Sequence, residues 1–219
     1  MEKKTDWTRY YNSPYKTASI TRKITGHILI KTIRKYVGNV KNLSIIELGG
    51  ANSASLELLI KALNPLEYII IDNNQAGLEK TKTRITKDNN VAVFNKDILN
   101  LDMKNQADLV LSIGLIEHFD KTGTRKAIKA HFDLLKPEGF AVMTFPTPTI
   151  LYKIIRYAAE ALGLWIFHDE RPLLIDEVIK AAELYGDKKE FKIIWLIFLT
   201  QGLVVFQKKR RILQPGKLV

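Results

Sequence analysis

The sequence predicts an α/β fold, an open and mostly parallel sheet with helices on both faces. Short apolar runs of strand length alternate with helical patterns from Leu43 to Phe145, and alternation of this kind builds parallel sheets through crossover helices. The first run ends in Gly49-Gly50 and passes directly into a helical pattern, giving strand, glycine turn and helix. Acidic residues, Glu47, Asp72 and Asp97, recur at the carboxyl ends of successive runs, the edge at which open parallel sheets bind ligands.

Ahead of the sheet, Ile20, Ile24, Ile28, Ile33 and Val37 recur at helical spacing between Arg22, Lys23, Lys31 and Arg34. This predicts an amphipathic helix over Ile20 to Val37, in an N-terminal helical cap of residues 1–40. Residues 41–146 form the ligand-binding core. Leu43 to Leu48 is the first strand, and the helix from Ser53 to Leu63 is closed by Asn64-Pro65. Tyr68 to Ile71 is a strand ending in Asp72, Gln75 to Lys87 a helix, and Val91 to Phe94 a third strand. A fourth strand at Asp108 to Ser112 precedes a helix near Thr122 to Leu135, and the turn Lys136-Pro137-Glu138-Gly139 leads into a fifth at Phe140 to Phe145. Beyond Pro148 the alternation breaks. Ile150 to Leu164 is an apolar-rich helix with no strand behind it, read as part of a lid or acceptor segment over residues 147–190. Arg171-Pro172 opens a further helix to Tyr185, stopped by Gly186; Phe191 to Leu199 and Leu203 to Gln207 form a terminal strand pair within 191–207, and 208–219 is a basic tail.

A chain of 219 residues, 46% of them hydrophobic, suits one domain with one sizeable core. With no cysteine there is neither a disulfide framework nor a thiolate site, and four scattered histidines do not make a zinc site, so no metal is expected. The N-terminus has no apolar stretch of signal-peptide length, and a cytoplasmic location is expected. Ile193 to Phe206 is interrupted by Thr200-Gln201-Gly202 and falls short of the roughly 20 residues of a membrane span, leaving only peripheral membrane contact open. Lys plus Arg exceed Asp plus Glu by 34 − 23 = 11. The excess is spread over several helices and the tail, so specific nucleic-acid binding is not expected. Oligomeric state is not legible.

Taken in order, the strand-end segments resemble the motifs of class I, Rossmann-like S-adenosylmethionine-dependent methyltransferases of the small-molecule type. Ile46-Glu47-Leu48-Gly49-Gly50-Ala51-Asn52-Ser53 resembles the glycine-rich first motif, Tyr68 to Asp72 the second strand with its terminal acid, and Asn95-Lys96-Asp97-Ile98 the acidic motif after the third. Ala107 to Phe119 resembles the fourth-strand segment, and Leu134 to Phe140 the turn before strand five. The resemblance covers residues 43 to 146 and implies a seven-stranded sheet with an antiparallel last strand, and S-adenosylmethionine as cofactor.

Each motif also has a physical rationale. Gly49 and Gly50 allow positive φ and close approach of a ligand, and the following helix presents free N–H groups. Glu47 is too polar for a buried strand without a partner, such as backbone amides or the cofactor's ammonium group. Asp72, 23 residues after Gly49, stands where an acid accepts hydrogen bonds from ribose hydroxyls; capping the helix from Gln75 is its structural alternative. Asp97 with Ile98 resembles the adenine contact. Ala51, Asn73, Ser112 and Ile113 complete the expected cofactor set. His118 follows strand four and suits general-base work, since an unperturbed imidazole titrates near pH ~6.5; a structural bridge between loop and helix is the alternative. His168 and Tyr11, with Tyr10 and Tyr15 beside it, are candidates to line the acceptor pocket, which Tyr157, Trp165 and Phe167 are expected to help close.

The chain departs from the family where Gly49-Gly50-Ala51-Asn52-Ser53 replaces the common Gly-x-Gly-x-Gly. The same departure argues against a nicotinamide dehydrogenase, which needs Gly-x-Gly-x-x-Gly after strand one. The expected reaction is methylation of a small-molecule or carbohydrate-type acceptor at oxygen. An RNA methyltransferase and a non-catalytic partner subunit of the same fold are the alternatives. Ser112-Ile113-Gly114-Leu115 stands where base-methylating enzymes carry Asn/Asp-Pro-Pro-Tyr, which counts against nucleic acid.

Overall fold

The computed structural model describes residues 4–12, 18–38, 42–85, 90–104, 106–195, 197 and 199–210; Tyr15 and the side chain of Ile20 lie outside that set. The elements are α1 (Trp7–Asn12), α2 (Ala18–Val37), β1 (Ser44–Leu48), α3 (Leu56–Leu63), β2 (Glu67–Asp72), α4 (Gln75–Arg84), β3 (Val91–Asn95), β4 (Ala107–Ile113), α5 (Lys121–Leu134), β5 (Leu135–Pro146), α6 (Ile150–Ala161), α7 (Ile175–Ala182), β6 (Gly186–Ile194) and β7 (Gln201–Lys208). Single 3₁₀ turns follow β3, at Ile98–Asn100, and β4, at Ile116–His118.

The described residues form one seven-stranded sheet in the order β3-β2-β1-β4-β5-β7-β6. β1 to β5 run parallel, and β7 lies antiparallel between β5 and β6. β1 is buried at every residue, as a central parallel strand covered on both faces must be. One core packs Ile46, Leu48, Val110, Met143 and Phe206 under α5 and α7; the other packs Ile45, Ile70, Leu109 and Val142 under α2, α3 and α4. Because strand side chains alternate, Glu47 shares the second face with Ile45, and so does Tyr68, the register partner of Ile45. The strand order reverses between β1 and β4, whose carboxyl ends therefore border a crevice.

The structure moves three expected boundaries, each for a physical reason. The turn expected at Lys136 to Gly139 is extended chain within β5; a register shift opposite Ala107/Leu109 and a φ of 66° at Glu138 absorb the irregularity. Gly186 does not stop a helix. α7 ends at Ala182, and Gly186 starts β6, where an added Cβ would lie 2.5 Å from the Phe132 ring and 2.7 Å from the Gln207 carbonyl. The first strand of the terminal pair thus begins at Gly186 rather than Phe191, because an outermost strand keeps one flank in water and tolerates Asp187-Lys188-Lys189-Glu190. Finally, the basic tail starts later than residue 208. Lys208 closes β7 with its Nζ on the Leu135 carbonyl, Lys209 bonds the Glu183 carbonyl and Arg210 pairs with Glu138.

Candidate active site

The turn after β1 is built around a buried carboxylate. Gly49 takes φ 72° and Asn52 φ 49°, which swings the chain over the end of the sheet. The Glu47 side chain accepts from Ser53 Oγ at 2.7 Å and from Tyr68 Oη at 2.7 Å. Burial pushes its carboxyl up to about 7 against those two hydrogen bonds. Ser53, a departure from the glycine pattern, thus replaces backbone freedom with a hydroxyl that holds Glu47 in place. Gly50 leaves room for the same group, since a Cβ there would meet Glu47 Cδ at 2.9 Å. From α4, Thr81 Oγ1 accepts from Asn52 N at 2.7 Å, and Arg84 donates to Asn52 Oδ1 at 2.9 Å and to the Ser53 carbonyl at 2.8 Å. The loop is pinned by a helix whose sequence pattern marks it only as a crossover.

A stability prediction follows from Glu47. Its folded pKa lies above the ordinary value of 4.5, so its contribution is full below pH 4.5 and is lost as the pH rises toward about 7. Glu47→Gln removes that titration. Relative to wild type, the ligand-free variant gains roughly 2 to 4 kcal/mol between pH 5 and pH 8, read by urea unfolding at each pH. A difference that stays flat with pH counts against a carboxyl held this way. Comparing the two proteins cancels the opposing effect of His131, which burial lowers to about 4.

At the end of β2, Asp72 Oδ2 accepts from Ala51 N at 3.1 Å and Oδ1 from Asn74 N at 2.8 Å. The capping role open to Asp72 belongs to Asn74, whose side chain accepts from Gly77 N at 2.8 Å. Asp72 thereby ties the β1 and β2 turns together, with its carboxylate at the cavity wall and its pKa raised by burial. Asn73 is exposed beside it. The α1 helix closes this end: Tyr11 packs over Gly77, where a Cβ would lie 2.7 Å from both Ala51 Cβ and the Tyr11 ring, and Lys80 Nζ bonds the Tyr11 carbonyl at 2.8 Å.

Glu47, Gly49, Ala51, Asp72, Asn73, Asp97, Ile98, Ile113, Tyr11, His118 and His168 all line one cavity of about 1290 Å³. Asp97 and His168 are at its exposed rim. Asp97 is engaged locally, accepting from Leu99 N at 2.9 Å and from Asn100 Nδ2 at 2.5 Å. Gly50 and Ser112 are not on the wall. Ser112 points into the α5 side of the sheet, where it bonds His131 Nε2 at 3.0 Å.

The same cavity is lined by a second, acidic group of residues. His118 Nδ1 lies 3.0 Å from Asp169 Oδ1, and Thr5 Oγ1 donates to the same carboxylate oxygen. A carboxylate on Nδ1 fixes the proton there and leaves the Nε2 lone pair free, 3.8 Å from Glu117 Oε1. Burial lowers the His118 pKa, but the Asp169 hydrogen bond and the negative charges of Glu117, Asp169 and Glu170 outweigh it, and the net shift is upward. Asp169 is correspondingly held down at about 2 by His118 and Thr5 although burial opposes it. Glu117 is 1% exposed, its Oε2 has no hydrogen-bond partner among the described residues, and burial drives its carboxyl up to about 7. Glu170 accepts from Tyr152 Oη, and Arg156 Nη1 stands 3.6 Å from it. Glu117, His118 and Glu170 each offer one atom within 4.8 Å of the others.

Trp7 packs edge-on against His118 at 4.7 Å between ring centroids, and Phe167 flanks both. Of the three aromatics expected to close the pocket, only Phe167 lines it. Tyr157 is 74% exposed, and Trp165 donates to the Phe167 carbonyl at 2.9 Å, fastening the loop that carries Phe167. Tyr152, Asp169, Glu170, Trp7 and Arg84 carry no sequence motif that marks them for the site, and Tyr68 stands in the second-strand motif without a role of its own there. Asp169 and Glu170 directly follow His168, which is the one signal available for them.

Residues 45–139 match the family model described as a methyltransferase domain. No curated protein matches the sequence. Among solved structures, the chain is similar to the N-methyltransferase NodS from Bradyrhizobium japonicum WM9 in complex with S-adenosyl-L-homocysteine, at 16% identity and TM-score 0.63, over 85% of this chain and 87% of that one. It is also similar to magnesium protoporphyrin IX methyltransferase (ChlM) from Synechocystis PCC 6803 with bound SAH, at 11% identity and TM-score 0.71, over 93% of each chain. A third similar structure, at 11% identity and TM-score 0.71 over 94% of this chain and 99% of that one, is the complex between the Haloferax volcanii Trm112 methyltransferase activator and a methyltransferase. At these identities the likeness shows a shared Rossmann-like fold.

Proposed function

We infer that this chain, which carries a methyltransferase domain in the class I fold of S-adenosylmethionine-dependent enzymes, moves a methyl group from S-adenosylmethionine to a small-molecule or glycan acceptor. The observation that carries the inference is the single cavity shared by Glu47, the 49–53 turn and Asp72 on one side and His118 on the other. The matched domain implies the cofactor, and the residues fit it: Glu47 is a buried carboxylate answered only by hydroxyls, suited to an amino group, and Asp72 keeps lone pairs for ribose hydroxyls beyond its two backbone donors. Ile98 and Ile113 supply apolar wall for the base, with Asn73 and Asp97 at the rim. The cofactor supplies an electrophilic methyl on a sulfonium. The chain's part is to hold the acceptor in line with that methyl, exclude water and take the acceptor's proton. His118 is the proposed proton acceptor, through the Nε2 that Asp169 leaves unprotonated.

A labelled-methyl transfer screen against cell fractions separated into nucleic acid, glycan, lipid and small molecules tests the proposal. Label in the glycan or small-molecule fraction is expected; label confined to RNA would sink it. The cytoplasmic setting and the lid role of residues 147–190 belong to the same proposal. Among the described residues, no helix is long and apolar enough to cross a membrane.

The RNA alternative has a direct test. Lys208, Lys209 and Arg210 are engaged with Leu135, Glu183 and Glu138 rather than massed on an open face. Binding to RNA is therefore expected only at about 10⁻⁴ to 10⁻⁶ M, sequence-independent and falling steeply with salt in fluorescence anisotropy. Submicromolar binding at physiological salt would promote the RNA reading.

A further inference from the structure

We propose that the acidic end of the cavity is a receptor for a primary ammonium group of the acceptor, held by Glu117, Glu170 and His118 Nε2, and that its nitrogen is the atom methylated. This rests on the methyl-transfer reading above and replaces the oxygen acceptor expected from sequence.

Charge comes first. Of the three carboxylates here, Asp169 is answered by His118 and Thr5, and Glu170 by Tyr152 and Arg156. Glu117 is buried, with no hydrogen-bond partner for Oε2 among the described residues, and the neighbouring Arg171 guanidinium is turned to Glu177 at 2.8 Å. Ionising a buried carboxyl without a partner carries a large desolvation cost, which holds Glu117 up at about 7, so the cavity lacks the cation that would let it ionise fully. A neutral hydroxyl offers one donor to three acceptors and leaves that deficit standing. An ammonium offers three donors and a positive charge.

Spacing then separates an ammonium from a small divalent metal. Three acceptors each about 2.9 Å from one tetrahedral nitrogen, along its N–H bonds, stand roughly 4.7 Å apart. Ligand atoms on a metal at about 2.1 Å stand only about 3.0 to 3.4 Å apart. Here His118 Nε2 stands 3.8 Å from Glu117 Oε1, and Glu117, His118 and Glu170 each bring an atom within 4.8 Å of the others. The His118–Glu117 pair is wider than ligand atoms stand on zinc or magnesium, and the group as a whole lies within the span that a nitrogen with three N–H bonds can bridge.

The same arrangement balances the reaction. One ammonium N–H breaks, its electron pair stays on nitrogen and the proton moves to His118 Nε2, where Asp169 stabilises the imidazolium through Nδ1–H. Rotation about the C–N bond turns the freed lone pair out of the His118 direction toward the methyl donor, and the two remaining N–H groups turn with it, so that one of them is shared between Glu117 and Glu170. The N–C bond forms as the C–S bond breaks, its electron pair returning to sulfur. The positive charge that leaves the sulfonium ends on the methylated nitrogen, between the same two carboxylates.

The test compares 2-phenylethylamine with 2-phenylethanol, a pair matched in shape and suited to the Trp7 and Phe167 wall, by ligand-observed NMR at pH 7.5 with and without saturating S-adenosylhomocysteine. The amine should bind at least about tenfold more tightly than the alcohol, and Glu117→Gln and Glu170→Gln should each remove most of that preference. Equal affinities, no binding of the amine, or a preference that survives both substitutions would overturn the proposal. So would a Mn²⁺ site, seen by electron paramagnetic resonance and lost in Glu117→Gln. Calorimetry with S-adenosylhomocysteine alone reports on the donor half: its failure strikes the methyl-transfer reading, while the amine-to-alcohol ratio without cofactor still decides the receptor.

Discussion

Replacing His118 by alanine lowers methyl transfer roughly 10²-fold to 10⁴-fold and leaves S-adenosylhomocysteine affinity nearly unchanged. The asymmetry follows from position. His118 lies on the 3₁₀ turn after β4, where its ring meets Asp169, Glu117, Trp7 and Phe167, none of them a proposed cofactor contact, so its loss does not touch those contacts. Its partner supplies a second readout. With His118 raised above its ordinary 6.5, the free base is present only above that raised value, and kcat/KM climbs through it with rising pH. Asp169→Asn removes the carboxylate that raises it, so the acid limb of the profile moves to lower pH while the maximum falls. A merely structural histidine predicts neither the limb nor its movement, and a His118→Ala enzyme with near-normal turnover would return the residue to that role.

Asp72→Ala weakens binding of both S-adenosylmethionine and S-adenosylhomocysteine by roughly 1 to 3 kcal/mol, measured by calorimetry. Two effects act together. A charged acceptor for ligand hydroxyls disappears, and Ala51 N and Asn74 N lose the carboxylate that joins the two turns. Asp72→Asn keeps an acceptor oxygen for one of those turns, so it should lie between wild type and the alanine variant. Equal effects on donor and product are required, because they share the ribose. Calorimetry in which folded wild-type protein binds neither ligand would instead favour a non-catalytic partner subunit.

The cavity wall at the carboxyl ends of β1 and β2 was legible because it follows from local rules. A strand ending in glycine, and acids at strand ends, put Glu47, Gly49 and Asp72 at one sheet edge before any packing is known. Side-chain alternation then decided what the linear pattern could not: Ser112 faces α5 and Gly50 makes space for Glu47 instead of facing the cavity. The partners of Glu47 depend on register, since Tyr68 reaches it only through the β1–β2 pairing. The wall around His118 was less legible. Tyr152, Asp169 and Glu170 come from the segment between β5 and β6, and no periodicity states where a segment without a strand folds back. Boundaries failed where exposure hid the pattern, as in the polar start of β6.

The two outermost strands of the sheet differ in a way that bears on handling the protein in concentrated solution. β6 presents Lys188, Lys189 and Lys192 along its length, charges that keep a second molecule from adding its own strand. β3, at the opposite border, reads Val91-Ala92-Val93-Phe94-Asn95, without one charged residue and with Phe94 38% exposed. Unpaired backbone donors and acceptors on a short apolar strand are a template for intermolecular β-pairing. Aggregation during heating or long storage therefore begins at β3, and Phe94→Lys is the substitution that supplies the missing gatekeeper charge.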